Sequence, residues 1–166
     1  MDPRSPATPE ILQQQIQLGQ QMFAETLEAR RALAEISSVQ KQLADVEQKL
    51  GEQNPALKST LTDAQSEIFN ILTKKEITTE QPSGLQDAYT ALASALHVVE
   101  GGDRVVPSQA IAVYQESSQR VKAGIAEWAR FKQTRLNQLN QKLLEGSLSP
   151  IAISKIEQEV QFLLSR

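Results

Sequence analysis

The stretch ALAEISSVQKQLADVEQKLG, residues 32–51, decides the fold. Ala32, Ile36, Val39, Leu43, Val46 and Leu50 step by four and three, the spacing that keeps one face of an α-helix turned toward a neighbouring helix. Gly51 then supplies the left-handed stop, and Asn54 followed by Pro55 supplies the next cap and first helical turn, so residues 51–54 read as a tight reversal. The second helix repeats the pattern on Leu57, Leu61, Ala64, Ile68 and Ile71 before it dissolves in the β-branched, polar run from Ile77 to Pro82.

Upstream, Pro3, Pro6 and Pro9 make residues 1–9 an extended lead, and Thr8 caps a helix with Pro9 in its first turn. The first half of that helix places Leu12, Ile16, Phe23 and Leu27 on an inward stripe. This stripe is out of phase with the seam that starts at Ala32, which predicts a bend or register change near residues 27–32. Downstream, Ser83 caps a third helix carrying Leu85, Tyr89, Leu92, Leu96 and Val99, ended by Gly101-Gly102-Asp103. Ser108 caps a fourth, with Ile111, Tyr114, Val121, Ile125, Trp128, Leu139 and Leu143 facing inward as far as Gly146. Ser149-Pro150 opens a short fifth helix with Ile153, Ile156, Val160 and Leu163 on its apolar edge.

The first and fourth helices span roughly 60 Å each, and the second and third about 33 and 25 Å. The two short helices together match one long one. The expected fold is therefore all-α, an elongated antiparallel bundle of three columns, with the second and third helices stacked end to end in the middle. An up-down four-helix bundle is the alternative. Residues 10–146 form the bundle, and residues 147–166 fold back as a short helix that covers one end of it.

With 17 basic against 20 acidic residues, the chain lacks the positive field that holds a protein on nucleic acid. No apolar run is long enough to cross a bilayer. The absence of cysteine removes disulfides, thiol nucleophiles and thiolate metal sites together.

The single histidine, His97, has Ser94 where a Glu-x-x-His metal motif needs glutamate, and it reads as an ordinary residue near a helix C-terminus. A triad of Ser94, His97 and Glu100 would sit on a regular helix whose backbone N–H groups are already bonded, which leaves no oxyanion hole. The carboxylate pairs Glu25/Glu28 and Glu157/Glu159 read as solvated helix faces. Gly101-Gly102-Asp103-Arg104 lacks phosphate-loop spacing and reads as a turn between helices. Arg120, Lys122, Arg130, Lys132, Arg135 and Lys142 give the fourth helix a basic character that suits either an anionic partner or the acidic first helix, with Glu25, Glu28, Glu35, Asp45 and Glu47. The second reading is preferred, because the six bases are spread around the helix. Phe23, Tyr89, Tyr114 and Trp128 read as core side chains and not as a ligand cage. No catalytic, cofactor-binding or metal-ligating residue is assigned.

The Met1-Asp2-Pro3-Arg4 start, the Pro-rich lead, the Gln-rich helix with Arg31, Ile36, Val39 and Gln42-Leu43, and the VEGGDRVVPSQ turn before the helix that carries Trp128 form an ordered pattern. In that order over residues 1–145, the chain resembles the C-terminal helical region of large bacterial exported proteins built on a sortilin-like (VPS10-type) β-propeller, often labelled BNR-repeat glycosyl hydrolases. The resemblance implies an extracytoplasmic setting and a propeller body that this region follows, as a tail or a stand-alone version. No Asp-box (S-x-D-x-G-x-T-W) occurs here, so the glycosidase label falls on no residue of this chain. The expected function is a non-catalytic structural spacer or protein-docking module whose partner is its own propeller body. The alternative is a self-associating coiled-coil adaptor that pairs with another copy.

Overall fold

The structure, a computed structural model, describes residues 8–51, 54–74, 84–102 and 105–153, and among them every regular element is helical. Helix α1 (Pro9–Leu50) starts as its sequence dictates: the Thr8 hydroxyl accepts from the Ile11 amide, and Pro9 occupies the first turn. Gly51 closes it at φ 55°. Helix α2 (Pro55–Thr73) is capped by Asn54, whose side-chain oxygen accepts from the Leu57 amide at 3.1 Å. All five of its seam residues are buried. Helix α3 (Leu85–Glu100) and helix α4 (Ser108–Phe131) follow, and a π-helical turn (Lys132–Leu136) joins α4 to α5 (Asn137–Glu145) without a break in direction.

Contacts between residues far apart in sequence fix the topology. Tyr114 and Lys122 reach Glu25, and Trp128 and Lys132 reach Glu35, so α4 runs parallel to α1. Against α2 the numbering reverses: Lys74 meets Glu127, Glu67 meets Arg135, and Thr60 meets Lys142. Gln65 of α2 bonds Glu47 near the end of α1, whereas Val99 of α3 lies against Gln15 and Gly19 near its start. The result is the three-column bundle, with α1 as one column, α2 and α3 end to end as the second, and α4 to α5 as the third.

Two glycines set the spacing of the middle column. A Cβ on Gly84 would run into the backbone at Leu72 and Thr73, so the start of α3 abuts the last turn of α2. A Cβ on Gly124 would lie 2.9 Å from the Leu85 Cβ, so α4 passes close over the first turn of α3. The cap position of α3 is therefore Gly84 and not Ser83, which lies outside the described residues, because only glycine fits against the α2 terminus. Helix α4 likewise begins at Ser108, with Pro107 in the cap position, one residue earlier than its expected start.

Three further expectations need correction. First, α1 is one uninterrupted helix with no break near residues 27–32. Its inward stripe is Leu18, Met22, Glu25, Ala29, Ala32, Ile36, Val39 and Leu43, stepping by three and four throughout, while Ile16 is 60% exposed and Phe23 46% exposed. The apparent phase shift arose because the true seam carries polar residues, and the neighbouring stripe carries the aliphatic and aromatic ones. Second, the inward residues of the fourth column include Phe131 and Leu136, spaced by five. A step of five overshoots an α-helical stripe by more than a third of a turn, and the wider π turn at Lys132–Leu136 absorbs the excess so that Leu139 and Leu143 stay inside.

Third, no helix opens at Ser149-Pro150. Residues 148–153 run without regular structure, with Ile151 buried and Leu148 packed on the core. Asn140 accepts from the Ile151 amide at 2.8 Å and donates to the Ile151 carbonyl at 3.0 Å. Gln42 brackets Ala152 in the same way at 2.9 and 2.7 Å. With both polar groups of two successive residues held by side-chain amides, the backbone there has no reason to coil. The expected helix through Ile156, Val160 and Leu163 lies outside the described residues, as do the Pro-rich lead at 1–7 and the run from Ile77 to Pro82.

The packing yields two stability predictions. Gly84→Ala and Gly124→Ala each lower the unfolding free energy by about 1–3 kcal/mol in denaturant titrations, because overpacking adds to the poor capping of alanine at residue 84 and outweighs its helix preference at residue 124. Deleting Gln133 shortens the Phe131-to-Leu136 step to four, so the π turn becomes α-helical and stability is kept. Deleting Gln40 from the regular part of α1 shifts the seam and is strongly destabilising.

Candidate functional site: an apolar stripe on the first helix

Residues 11–24 of α1 contain no charged side chain, the longest such run on that helix. Within it, Leu12, Ile16, Gly19 and Phe23 step by four, three and four along a face that points away from the core seam. Their other wall is the C-terminal end of α3, with Val99, Glu100 and Gly102. Together they border an open groove of about 480 Å³ whose sides also include Gln15 and Gln20. Gln15 holds the walls together: its amide donates to the Val99 carbonyl and, at 2.8 Å, to the Gly102 carbonyl. These carbonyls stand at the end of α3, where intrahelical donors run out.

Gly19 is not required by the packing of this chain. A Cβ there would meet only the Val99 Cγ1, at an ordinary 3.9 Å. Glycine in a helix interior costs roughly 1 kcal/mol relative to alanine, and among the described residues no close contact requires it here. The residue leaves a notch between two exposed apolar side chains, Ile16 and Phe23.

One turn farther along, the seam itself turns polar. Glu25 stands between a small apolar cluster of Met22, Ala95, Leu96 and Val99 and the main core, which begins at Ala29. Its Oε1 accepts from the Lys122 Nζ at 2.9 Å and the Tyr114 hydroxyl at 3.3 Å, and Lys122 also donates to the Ser118 hydroxyl at 3.1 Å. Burial pushes the Glu25 carboxyl up, but hydrogen bonds from Ser118, Lys122 and Tyr114 and the charge of Lys122 overcome it, leaving the group below its ordinary value. Burial and the adjacent carboxylate push the Tyr114 hydroxyl up. The Glu25 Oε2 is buried without a hydrogen-bond partner. This layer orients α1 against α4.

The other residues weighed from the sequence are placed individually. His97 is exposed in the last turn of α3, and the Ser94 hydroxyl donates to the Thr90 carbonyl at 2.9 Å, so these two are not brought together as a nucleophile and base. Glu28 is exposed while Glu25 is drawn inward, so the two carboxylates do not converge. Trp128 is fully buried, stacked on Phe131 at 5.3 Å, and its indole N–H donates to Glu35 at 2.8 Å. Lys132 meets the same carboxylate oxygen at 2.7 Å and lies over the indole ring. Of the six bases of the fourth column, Lys122 and Lys132 pair with α1, Arg135 with Glu67 of α2 and Arg120 with Glu116 of its own helix. Lys122 and Lys132 thus complement the acidic first helix as expected, whereas Arg135 and Arg120 pair with acids of other helices. Phe23 is the aromatic residue misread as core. Among the described residues no three His, Asp or Glu side chains lie close enough to share a metal ion, and no helix is long and apolar enough to cross a membrane.

The lowered Glu25 carboxyl fixes the sign of a pH dependence. A group more acidic in the folded than in the unfolded chain stabilises the fold above its ordinary value and loses that contribution as pH falls through the lowered one. Glu25→Leu removes that contribution and takes the acceptor away from the Tyr114 hydroxyl and Lys122, so the unfolding free energy at neutral pH falls by about 1–3 kcal/mol. The part of the acid-limb decline that belongs to Glu25 then vanishes from melts taken between pH 3 and 7, roughly the carboxylate range and above it. An unchanged unfolding free energy at neutral pH would show that the polar layer makes no net contribution to stability. Comparison with protein families, with curated proteins and with solved structures yields no significant match to this chain.

Proposed function

We propose that this chain is a non-catalytic helical-bundle module, a rigid spacer and protein-docking element. The observation that carries the reading is the uncharged stripe of half-buried Leu12 and exposed Ile16 and Phe23 beside the α1–α3 groove. A single exposed apolar residue is ordinary. Apolar residues in register at helical spacing around a groove are the form of a helix-recognition surface. Uninterrupted over 42 residues, α1 also suits a spacer, because its seam ties both ends of the rod to the same helix.

The partner is a protein. The resemblance to the helical region after a sortilin-like propeller makes such a body, in an extracytoplasmic setting, the first partner to test. Pairing with another copy is the second reading, favoured by the unexplained notch at Gly19. Nucleic acid is a poor fit to a surface without positive charge.

Ile16→Asp combined with Phe23→Asp tests the docking role. Both side chains are exposed, so the circular dichroism spectrum and melting temperature stay close to those of the parent, with a stability change of about 0.5 kcal/mol or less. Association with a purified sortilin-like propeller, or with further copies of the chain, falls at least tenfold by calorimetry or sedimentation. Unchanged association, or none by the parent chain with either partner, would overturn the docking role.

A further inference from the structure

We propose that the channel flanked by Gln42 of α1 and Asn140 of α5 is a binding site for an extended peptide segment with one branched aliphatic anchor, and that residues 148–153 occupy it as a built-in ligand. The channel lies about 30 Å along α1 from Phe23, so it is separate from the docking stripe. Its occupant shows what it reads. Asn140 accepts from the Ile151 amide at 2.8 Å and donates to the Ile151 carbonyl at 3.0 Å. Gln42 does the same for Ala152, at 2.9 and 2.7 Å. In an extended chain, successive residues turn their polar pairs to opposite sides, so the two amides hold the backbone from opposite walls as neighbouring strands would.

Backbone groups are common to every residue, and this part of the recognition is therefore indifferent to sequence. Selection falls to one side chain. Ile151 is 4% exposed and joins the main core, whereas Ser149, Pro150, Ala152 and Ile153 are exposed. Pro150 has no N–H to satisfy and biases Ser149 toward the extended form. Main-chain hydrogen bonds for affinity and a side-chain pocket for specificity are the means by which a sheet edge captures a peptide, and here two amides stand in for the edge.

The built-in ligand is also held so that it can leave. Its tether passes through Ser147, which sits in the left-handed region at φ 57°. Among the described residues, 149–153 make no backbone–backbone hydrogen bond. Departure costs one apolar contact and four bonds to side chains, and it leaves an empty pocket and an Asn140 amide without its partners. A segment of the same chemistry on another protein restores both. Its apparent affinity is reduced by the fraction of time the channel is closed, which makes residues 148–153 an autoinhibitory strap.

Fluorescence polarisation of a labelled peptide with the sequence of residues 147–153, SLSPIAI, titrated with the full-length chain, tests this. The Ile151→Asp chain, whose strap cannot bury its anchor, is expected to bind the peptide at least about tenfold tighter than the parent does. Adding Gln42→Ala and Asn140→Ala is expected to abolish that gain, and a peptide carrying Ile151→Asp is expected to bind neither chain. Hydrogen exchange on the parent, which needs no substitution, is expected to show the Ile151 and Ala152 amides exchanging at least about tenfold faster than those of Leu139 and Leu143 in α5. Equal protection would overturn the proposal, because the strap would then open only with the bundle. An Ile151→Asp chain with the parent's circular dichroism spectrum and no gain in peptide affinity would overturn it too, as would a gain that survives the loss of both amides. Ile16→Asp with Phe23→Asp is expected to leave the peptide affinity unchanged, so the strap site and the docking stripe stand or fall separately.

Discussion

The inward stripe of α1 is the constraint on which the remaining structure depends. It is the one column formed by a single regular helix, and its steps of three and four hold over about seven turns. Both short helices of the middle column register against it, α2 through Gln65 and Glu47, and α3 through Gln15, Gly19 and Val99. The fourth column reads the same stripe from the other side through Glu25 and Glu35. Because the middle column is broken, alignment from one end of the rod to the other is carried by α1 and by the continuous column of α4 and α5. A shift within α1 would therefore displace both halves of the bundle relative to each other.

Departures from regularity elsewhere serve that register. The π turn in the fourth column takes up one residue so that the apolar positions before and after it face the same way. Gly84 lets the middle column be interrupted without opening a gap between its two helices. Amide side chains play a comparable part. Gln15 ends α3 by donating to its orphan carbonyls, and Gln42 and Asn140 hold the backbone of residues 151 and 152 against the bundle. In a chain with 21 glutamines, Gln15 and Gln42 act as backbone mimics at a helix end and a returning segment.

Polar residues inside the seam have a second consequence. Glu25 divides the apolar interior into a small cluster near the start of α1 and a larger one beyond Ala29. A carboxylate bound by Tyr114 and Lys122 of α4 keeps those bonds in one axial position only, whereas Leu-on-Leu contacts tolerate slippage by a heptad. Trp128 plays the matching role farther along, since its indole N–H needs Glu35 to be buried without loss. Together the two pairs set the axial position of α4 against α1. The uncharged end of the helix, before Glu25, is left with a second apolar face turned outward.

Sequence alone determined the all-helical class, the start of α1 at Thr8-Pro9, its end at Gly51, the Asn54-Pro55 cap and the whole of the α2 seam. Each of these depends on interactions within a few residues: a cap bond, a fixed φ, a left-handed glycine, or an apolar period on one element. Tertiary structure alone decided which stripe of α1 faces inward before Ala29. Gln15 and Glu25 look like surface residues until their partners arrive from 84 to 97 positions away. Leu12, Ile16 and Phe23 look like core for the same reason, because local periodicity ranks side chains by polarity and cannot see which polar groups will be paired. The π turn left a trace in the five-residue step from Phe131 to Leu136. That step gains meaning only once both residues are known to contact the same core.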